Sequence, residues 1–185
     1  MKNKGHGQAR VLTPEELKQL FEDGFTNERD RVIFAVCLFS GCRISEALAL
    51  KRSDIKGQTI TFRKSTTKGK LSTRTIDISS KLAAIMQRYV PPIMLNNPFL
   101  FPSRCGKPLS RSQAHRILEK AYKRIGLEGI STHSFRRTAL TMMSDANKPL
   151  RHIQGISGHK DLGTLQRYLE VSQKHLKEAV SVIGW

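Results

Sequence analysis

Apolar residues recur at helical spacing along most of this chain, and the pattern breaks once, between Gln58 and Ile78. There Thr59, Ile60, Thr61 and Phe62 are strand formers, a basic turn Lys64-Ser-Thr-Thr-Lys-Gly-Lys70 follows, and Arg74-Thr-Ile-Asp-Ile78 alternates again. This predicts a β-hairpin with a basic tip. With helical patterns on both sides of it, the expected fold class is mainly α with a small antiparallel β-hairpin or sheet (α+β).

The helices announce themselves by their ends. Thr13 followed by Pro14, Glu15 and Glu16 supplies an N-cap, a first-turn Pro and two early acids, so a helix is expected from Pro14 to about Asp23. Asn27 opens a second, with Val32, Ile33, Val36 and Cys37 on helical spacing and an end near Gly41. A third, short helix carries Ile44, Ala47 and Leu48 and ends around Leu50. After the hairpin, Ser79 caps a helix to about Tyr89, which Pro91-Pro92 stops. The stretch Pro91 to Leu109 reads as a long internal loop, with Phe99, Leu100 and Phe101 as an apolar plug. Helices follow over Ser110 to Gly126, Ser134 to Ala146, Pro149 to Ser157 and Leu162 to Leu169, with a tail from Gln173 to Ile183.

A chain of 185 residues suits one compact domain. Its 32 Lys and Arg against 15 Asp and Glu leave a formal charge of +17, which calls for a polyanionic partner. A phosphate backbone neutralises such charge with release of counterions, and nucleic acid fits better than a membrane. The longest apolar run, Val32 to Ser40, is far too short to span a bilayer. Met1 to Arg10 is basic and polar with no apolar stretch behind it, so it reads as a flexible arm and not as a secretory signal. Cys37, Cys42 and Cys105 make an odd count without a CxxC pair, which points to a reducing cytoplasm.

Three constellations could carry chemistry. In Ser40-Gly-Cys-Arg-Ile-Ser-Glu-Ala-Leu48, Arg43 opens a helix with Glu46 three residues later. Its guanidinium could clamp a phosphate through two non-bridging oxygens; alone, the same pair reads as a local surface ion pair. In Thr132-His-Ser-Phe-Arg-Arg137, His133 and Arg136 stand three apart and should face the same way at a helix N-terminus, which favours an anion. Alone, His133 could simply cap that helix. In Ile153-Gln-Gly-Ile-Ser-Gly-His159, a Gly-His corner precedes by nine residues Tyr168 of Thr164-Leu-Gln-Arg-Tyr-Leu-Glu170, itself readable as a core aromatic. Tyr89 and Tyr122 lie inside apolar helical patterns and read as structural, and His6, His115, His152 and His175 fit no motif.

Taken together, Arg with Glu three later, basic hairpin, HxxR, Gly-His and Tyr in that order resemble the tyrosine recombinases, also called the phage integrase family. The resemblance covers Arg10 to about Ser172. It implies the tyrosine recombinase catalytic-domain fold over 11–172, a flexible basic arm over 1–10 and a tail helix over 173–185. It also implies site-specific DNA recombination (integration, excision or inversion): the phenolic oxygen of Tyr168 cleaves a strand to give a 3′-phosphotyrosyl link and a free 5′-hydroxyl, and a second 5′-hydroxyl reverses the step. Arg43 and Arg136 are then the residues that stabilise charge on the phosphoryl oxygens. His133 and His159 assist by hydrogen bonding, with His133 also a candidate proton acceptor from Tyr168.

The leaving 5′-alkoxide needs a proton, and in the family a lysine at the hairpin tip supplies it. The hairpin offers Lys64, Lys68 and Lys70, and Asp77 replaces the family's usual Pro. The Thr-Lys-Gly-Lys setting favours Lys68, with Lys70 next. Glu46 matches the family's acidic partner of the first arginine and reads as an orienting residue. Lys64, Lys70, Arg74 and Arg137 are expected to bind DNA.

No metal and no cofactor are expected, since two arginines and a lysine supply the electrostatics and no His, Cys and carboxylate grouping has ligand spacing. The implied partners are double-stranded DNA and three further copies, a homotetramer on two DNA sites, in a prokaryotic cytoplasm. The tail presents Leu176, Val180 and Ile183 as an apolar stripe, suited to a neighbouring protomer or to its own domain. The competing readings are a type IB topoisomerase-like relaxation activity and a DNA-binding regulator that does not cleave.

Overall fold

The computed structural model describes residues 9–66, 73–89 and 97–166, with Lys177, Val180, Ser181 and Ile183 of the tail. Its elements run α1 (Pro14–Gln19), α2 (Glu28–Ser40), α3 (Ile44–Leu48), β1 (Ile55–Lys56), β2 (Thr59–Phe62), β3 (Arg74–Asp77), α4 (Ser80–Gln87), α5 (Arg111–Arg124), α6 (Thr132–Asp145), α7 (Leu150–Ser157) and α8 (Leu162–Gln166). The fold is mainly helical with a small antiparallel sheet, the class the sequence leads one to expect.

The caps explain the boundaries. At α1 the Thr13 hydroxyl accepts the Glu16 N–H at 3.2 Å while the Glu16 carboxylate accepts the Thr13 N–H at 3.0 Å. The chain then continues through a π-type turn, Leu20–Gly24. Asn27 caps α2 by accepting the Arg29 N–H, and Gly41 closes it with φ of 58° in the left-handed region. The start of α6 falls at Thr132, two residues ahead of the expected Ser134. The reason is that Ser134 serves the cap from inside the helix, its hydroxyl accepting the Ser131 N–H at 3.0 Å.

The core gathers around α2. From Val32 to Cys37 no residue exceeds 1 % exposure, and the helix packs against α3, α4 and α6. Its Phe34 ring stacks on Phe25 at 5.1 Å and meets Phe135 of α6 at 5.1 Å. Each such ring, once buried, contributes about 1.5–3 kcal/mol. A smaller cluster of Leu140, Ile153 and Leu165 ties α6, α7 and α8 together.

In the sheet, β2 pairs with β3 (Ile60 opposite Ile76, Phe62 opposite Arg74), and β1 pairs with the other edge of β2 (Ile55 opposite Ile60). Ile60 and Phe62 face the core at 1 % and 0 % exposure, as the alternation requires. The strand β1 is an addition to the expected hairpin; at two residues it is too short to display an alternating pattern. Of the expected apolar plug, Leu100 and Phe101 are buried and Phe99 is half-buried; Tyr89 stacks on Phe101 at 5.8 Å while its hydroxyl donates to the Leu100 carbonyl at 3.0 Å.

The end of the expected arm is held in place. Arg137 donates to the Ala9 carbonyl at 2.6 Å, and Arg10 donates to the Glu128 carbonyl at 2.6 Å and pairs with Glu16. Residues 1–8 lie outside the described residues, as do most of the expected tail helix and the end of the helix expected over Leu162 to Leu169. Among the described residues, no helix is long and apolar enough to cross a membrane.

Candidate active site

Four stretches of sequence converge beside the sheet. The first is the corner between α2 and α3. Gly41 turns the chain, and Arg43 becomes the N-cap of α3 with extended backbone (φ −77°, ψ 150°). Its N–H donates to the Glu46 carboxylate at 2.7 Å, and its guanidinium lies 3.6 Å from the same group. Glu46 is 1 % exposed. Burial pushes its carboxyl upward, but hydrogen bonds and charge from Arg74, backed by the Arg43 N–H and guanidinium, reverse this and hold it below the ordinary carboxylate value. Glu46 is therefore an anion that binds and orients.

The second stretch is the first turns of α6. Arg136 is 1 % exposed and donates to the Gly41 carbonyl at 2.6 Å, which ties α6 to the turn that leads into Arg43. Its other terminal nitrogen lies 2.9 Å from Nε2 of His159. These two acceptors are neutral, so neither cancels the guanidinium charge. His133, three residues before Arg136 on the same helix, is exposed where Arg136 is buried. It stands in the opening turn of α6, where no earlier turn of helix covers it.

The third is the corner between α7 and α8. Gly158 ends α7 with φ of 65°, and a Cβ there would lie 3.0 Å from Nη1 of Arg74. His159 follows, 6 % exposed. A guanidinium can only donate, and the Arg136 nitrogen lies 2.9 Å from Nε2 and 3.3 Å from Nδ1 of His159, so we assign the nearer Nε2 as the acceptor. The ring proton then sits on Nδ1, within 2.7 Å of the Ser157 hydroxyl, and that hydroxyl can donate onward to the Gln154 carbonyl at 3.3 Å. The imidazole pKa is pushed down to about 3, first by burial, then by the charges of Arg136 and Arg43, with Asp161 opposing. His159 is thus neutral, and in this arrangement it steadies Arg136. Asp161 accepts the Thr164 N–H at 2.7 Å and starts α8, which Leu165 anchors at 0 % exposure. Tyr168 lies outside the described residues, two positions beyond the last residue of α8.

The fourth is the hairpin. Arg74 on β3 and Arg137 on α6 were expected to bind DNA, and both are largely buried against protein partners. Arg74 has a side chain only 9 % exposed and bonds both oxygens of Glu46, Nη1 to Oε1 at 3.2 Å and Nη2 to Oε2 at 3.0 Å. Arg137 is 8 % exposed and serves the Ala9 carbonyl. Lys64 is exposed, at the start of a short 3-10 turn. Lys68 and Lys70 lie outside the described residues.

The expected residues that come together are Arg43, Glu46, Arg136 and His159, and Arg74 joins them. Beside them opens a cleft of about 340 Å³ that Arg74, Arg151, Gly158, His159 and Lys160 help to line. Arg151, Lys160 and Ser157 were not singled out from the sequence as site residues. Ser157 sits within the Gly-His motif, but a serine there carries no signal of its own. Among the described residues, no three His, Cys, Asp or Glu side chains are grouped to hold a metal ion.

The sequence model of the phage integrase family matches residues 10–175. Over 174 residues the chain is 31 % identical to "Tyrosine recombinase XerA" of Pyrococcus horikoshii, covering 92 % of this chain and 60 % of that protein. Over 172 residues it is 33 % identical to "Probable integrase/recombinase YoeC" of Bacillus subtilis, covering 92 % of each. A crystal structure of XerA recombinase shares the fold with a TM-score of 0.82 at 22 % identity, over 96 % of this chain and 67 % of that one. The chain spans about 60 % of the length of the XerA relatives it matches.

Proposed function

Because the chain belongs to the phage integrase family, we propose that it cleaves and rejoins DNA strands at specific sites through a covalent bond between Tyr168 and a 3′-phosphate. The observation that carries this reading is Arg136. From a fully buried position it joins the turn before Arg43 to His159, so motifs about 95 and 23 residues away from it in sequence are tied to one side chain. The net charge of +17 supports DNA as the partner.

The chemistry follows from residue types. The phenolic oxygen of Tyr168 forms a bond to phosphorus as the bond to the 5′-oxygen breaks, and negative charge spreads over the phosphoryl oxygens. Arg43, half-buried, and Arg136 are the groups to meet that charge. His133, exposed at the start of α6, is the candidate to take the phenolic proton. Lys68 is assigned the proton for the leaving 5′-oxygen, with Lys70 the alternative. Glu46 holds Arg43, and His159 holds Arg136. Lys64 and Lys70 remain candidates for phosphate contacts.

The same reading assembles four copies on two DNA sites. An apolar groove of about 730 Å³, with Leu17, Phe21, Phe39, Ile85 and Met142 among its walls, supports a docking partner, and Val180 and Ile183 of the tail are 66 % and 80 % exposed. Cytoplasmic residence is supported by Cys37, Cys42 and Cys105, all free thiols.

The test is a duplex nicked so that cleavage releases a short oligonucleotide and traps the enzyme. Wild-type protein should give a detergent-stable protein–DNA adduct, and Tyr168→Phe should give none while binding the duplex as before. An adduct that survives Tyr168→Phe would sink the assignment.

A further inference from the structure

We propose that Arg74 is a positioning residue: by occupying both carboxylate oxygens of Glu46, it keeps Arg43 available to a phosphate and locks the hairpin against the Gly158-His159 corner. The inference rests on the strand-cleavage reading above. Arg74 is fixed on three sides. It bonds Glu46 of α3 at 3.0 and 3.2 Å, its Nε donates to the Ile156 carbonyl of α7 at 3.0 Å, and its guanidinium lies 4.5 Å over the centroid of the Phe62 ring in β2. A side chain so placed spans the sheet, α3 and α7 at once. Three of its five N–H donors are committed to these protein acceptors.

The electrostatic consequence concerns Arg43. Glu46 is a buried anion with two arginines in reach, and it chooses between them: Arg74 at hydrogen-bond distance, the Arg43 guanidinium at 3.6 Å. Two cations and one anion leave a formal charge of +1 facing the pocket. Without Arg74 the sum is zero, and Arg43 becomes the carboxylate's nearest cation, one helical turn away. A two-pronged Arg43–Glu46 pair would then compete with the phosphate for the same guanidinium. On this account Arg74 acts on the reaction only through Glu46 and Arg43, and through the placing of β3, whose strand leads back to the hairpin tip.

The test measures single-turnover adduct formation on the nicked duplex, using the full chain, for wild type, Arg74→Met, Glu46→Gln, Arg74→Lys and the Arg74→Met/Glu46→Gln pair. Arg74→Met should slow the adduct by about 10–100-fold, while duplex binding measured in a Tyr168→Phe background stays near that of the parent. The double variant should be faster than Arg74→Met alone, because removing the Glu46 charge releases Arg43; such positive coupling is what a shared network gives and what independent losses do not. Arg74→Lys, which keeps a cation without the fork, should fall between Met and wild type. Losses that simply add, or an Arg74→Met protein that cleaves at the wild-type rate, would overturn the proposal. Should Arg74→Met fail to fold by circular dichroism, Arg74→Gln with and without Glu46→Gln makes the same comparison. A wild-type protein that forms no Tyr168-dependent adduct would count against strand cleavage itself and leave the role of Arg74 to be judged by the Glu46 pairing alone.

Discussion

Two neighbouring parts of the molecule are almost equally hidden from water and are built from opposite materials. Along α2, Val32 to Cys37 bury apolar side chains at no more than 1 % exposure; beside it in space, Glu46, Arg136 and His159 are 1 %, 1 % and 6 % exposed and are charged or polar. Burying the first set stabilises the fold outright. Burying the second carries a desolvation penalty that its mutual bonds offset only in part. The difference teaches where stability and chemistry are kept: the core holds the helices together, and the junction beside it keeps cations dry and aimed, a condition that strengthens their grip on a substrate anion.

Three substitutions probe that division. The largest effect is expected in the core: Phe34→Ala should lower stability by about 3–5 kcal/mol, read as a shift in the urea midpoint, while the adduct rate per folded molecule stays near wild type. If that rate falls in step with stability, core and junction are one unit and the division fails. Next comes Arg136→Met. It should slow adduct formation by about 10²–10³-fold yet shift the urea midpoint far less than Phe34→Ala, because an apolar chain of similar length removes a buried charge along with its bonds. A midpoint shift matching that of Phe34→Ala would instead make Arg136 a pillar of the fold.

The third effect concerns acid and appears only at low pH. His159 has a pKa of about 3 in the folded protein against an ordinary 6.5. Below 6.5 the unfolded chain therefore takes up a proton that the folded one refuses until about 3, so stability falls as pH drops through that window. Urea midpoints measured across it should decline more steeply for wild type than for His159→Gln. Parallel curves would mean that His159 is not held neutral by its surroundings.

Most helices and the hairpin were legible in the sequence because each signal is local. Thr13 and Glu16 cap one another within three residues, and Ile60 and Phe62 face inward by simple alternation. That Arg43, Glu46, Arg136 and His159 come together was legible through the order of their motifs. What the sequence hid was the state of each cation. A count of Lys and Arg treats all 32 alike, but Arg74 meets its carboxylate 28 residues away and Arg137 meets the Ala9 carbonyl 128 residues away. Such partners appear only once the chain is folded. His133 shows the complementary limit: its spacing to Arg136 says nothing of depth, and the first stands exposed at the helix end while the second is buried.

Gly158 compresses much of this into one position. Its backbone, at φ of 65°, excludes most side chains, and Arg74 stands 3.0 Å from where any Cβ would go. A library randomised at 158 would pass through two independent filters, one conformational and one steric. Asn and Asp, which tolerate the first, meet the second. Any side chain at that position must push the pinned Arg74 guanidinium by a few tenths of an ångström, so the cleft beside His159 has a wall whose thickness is coupled to the placing of Arg74.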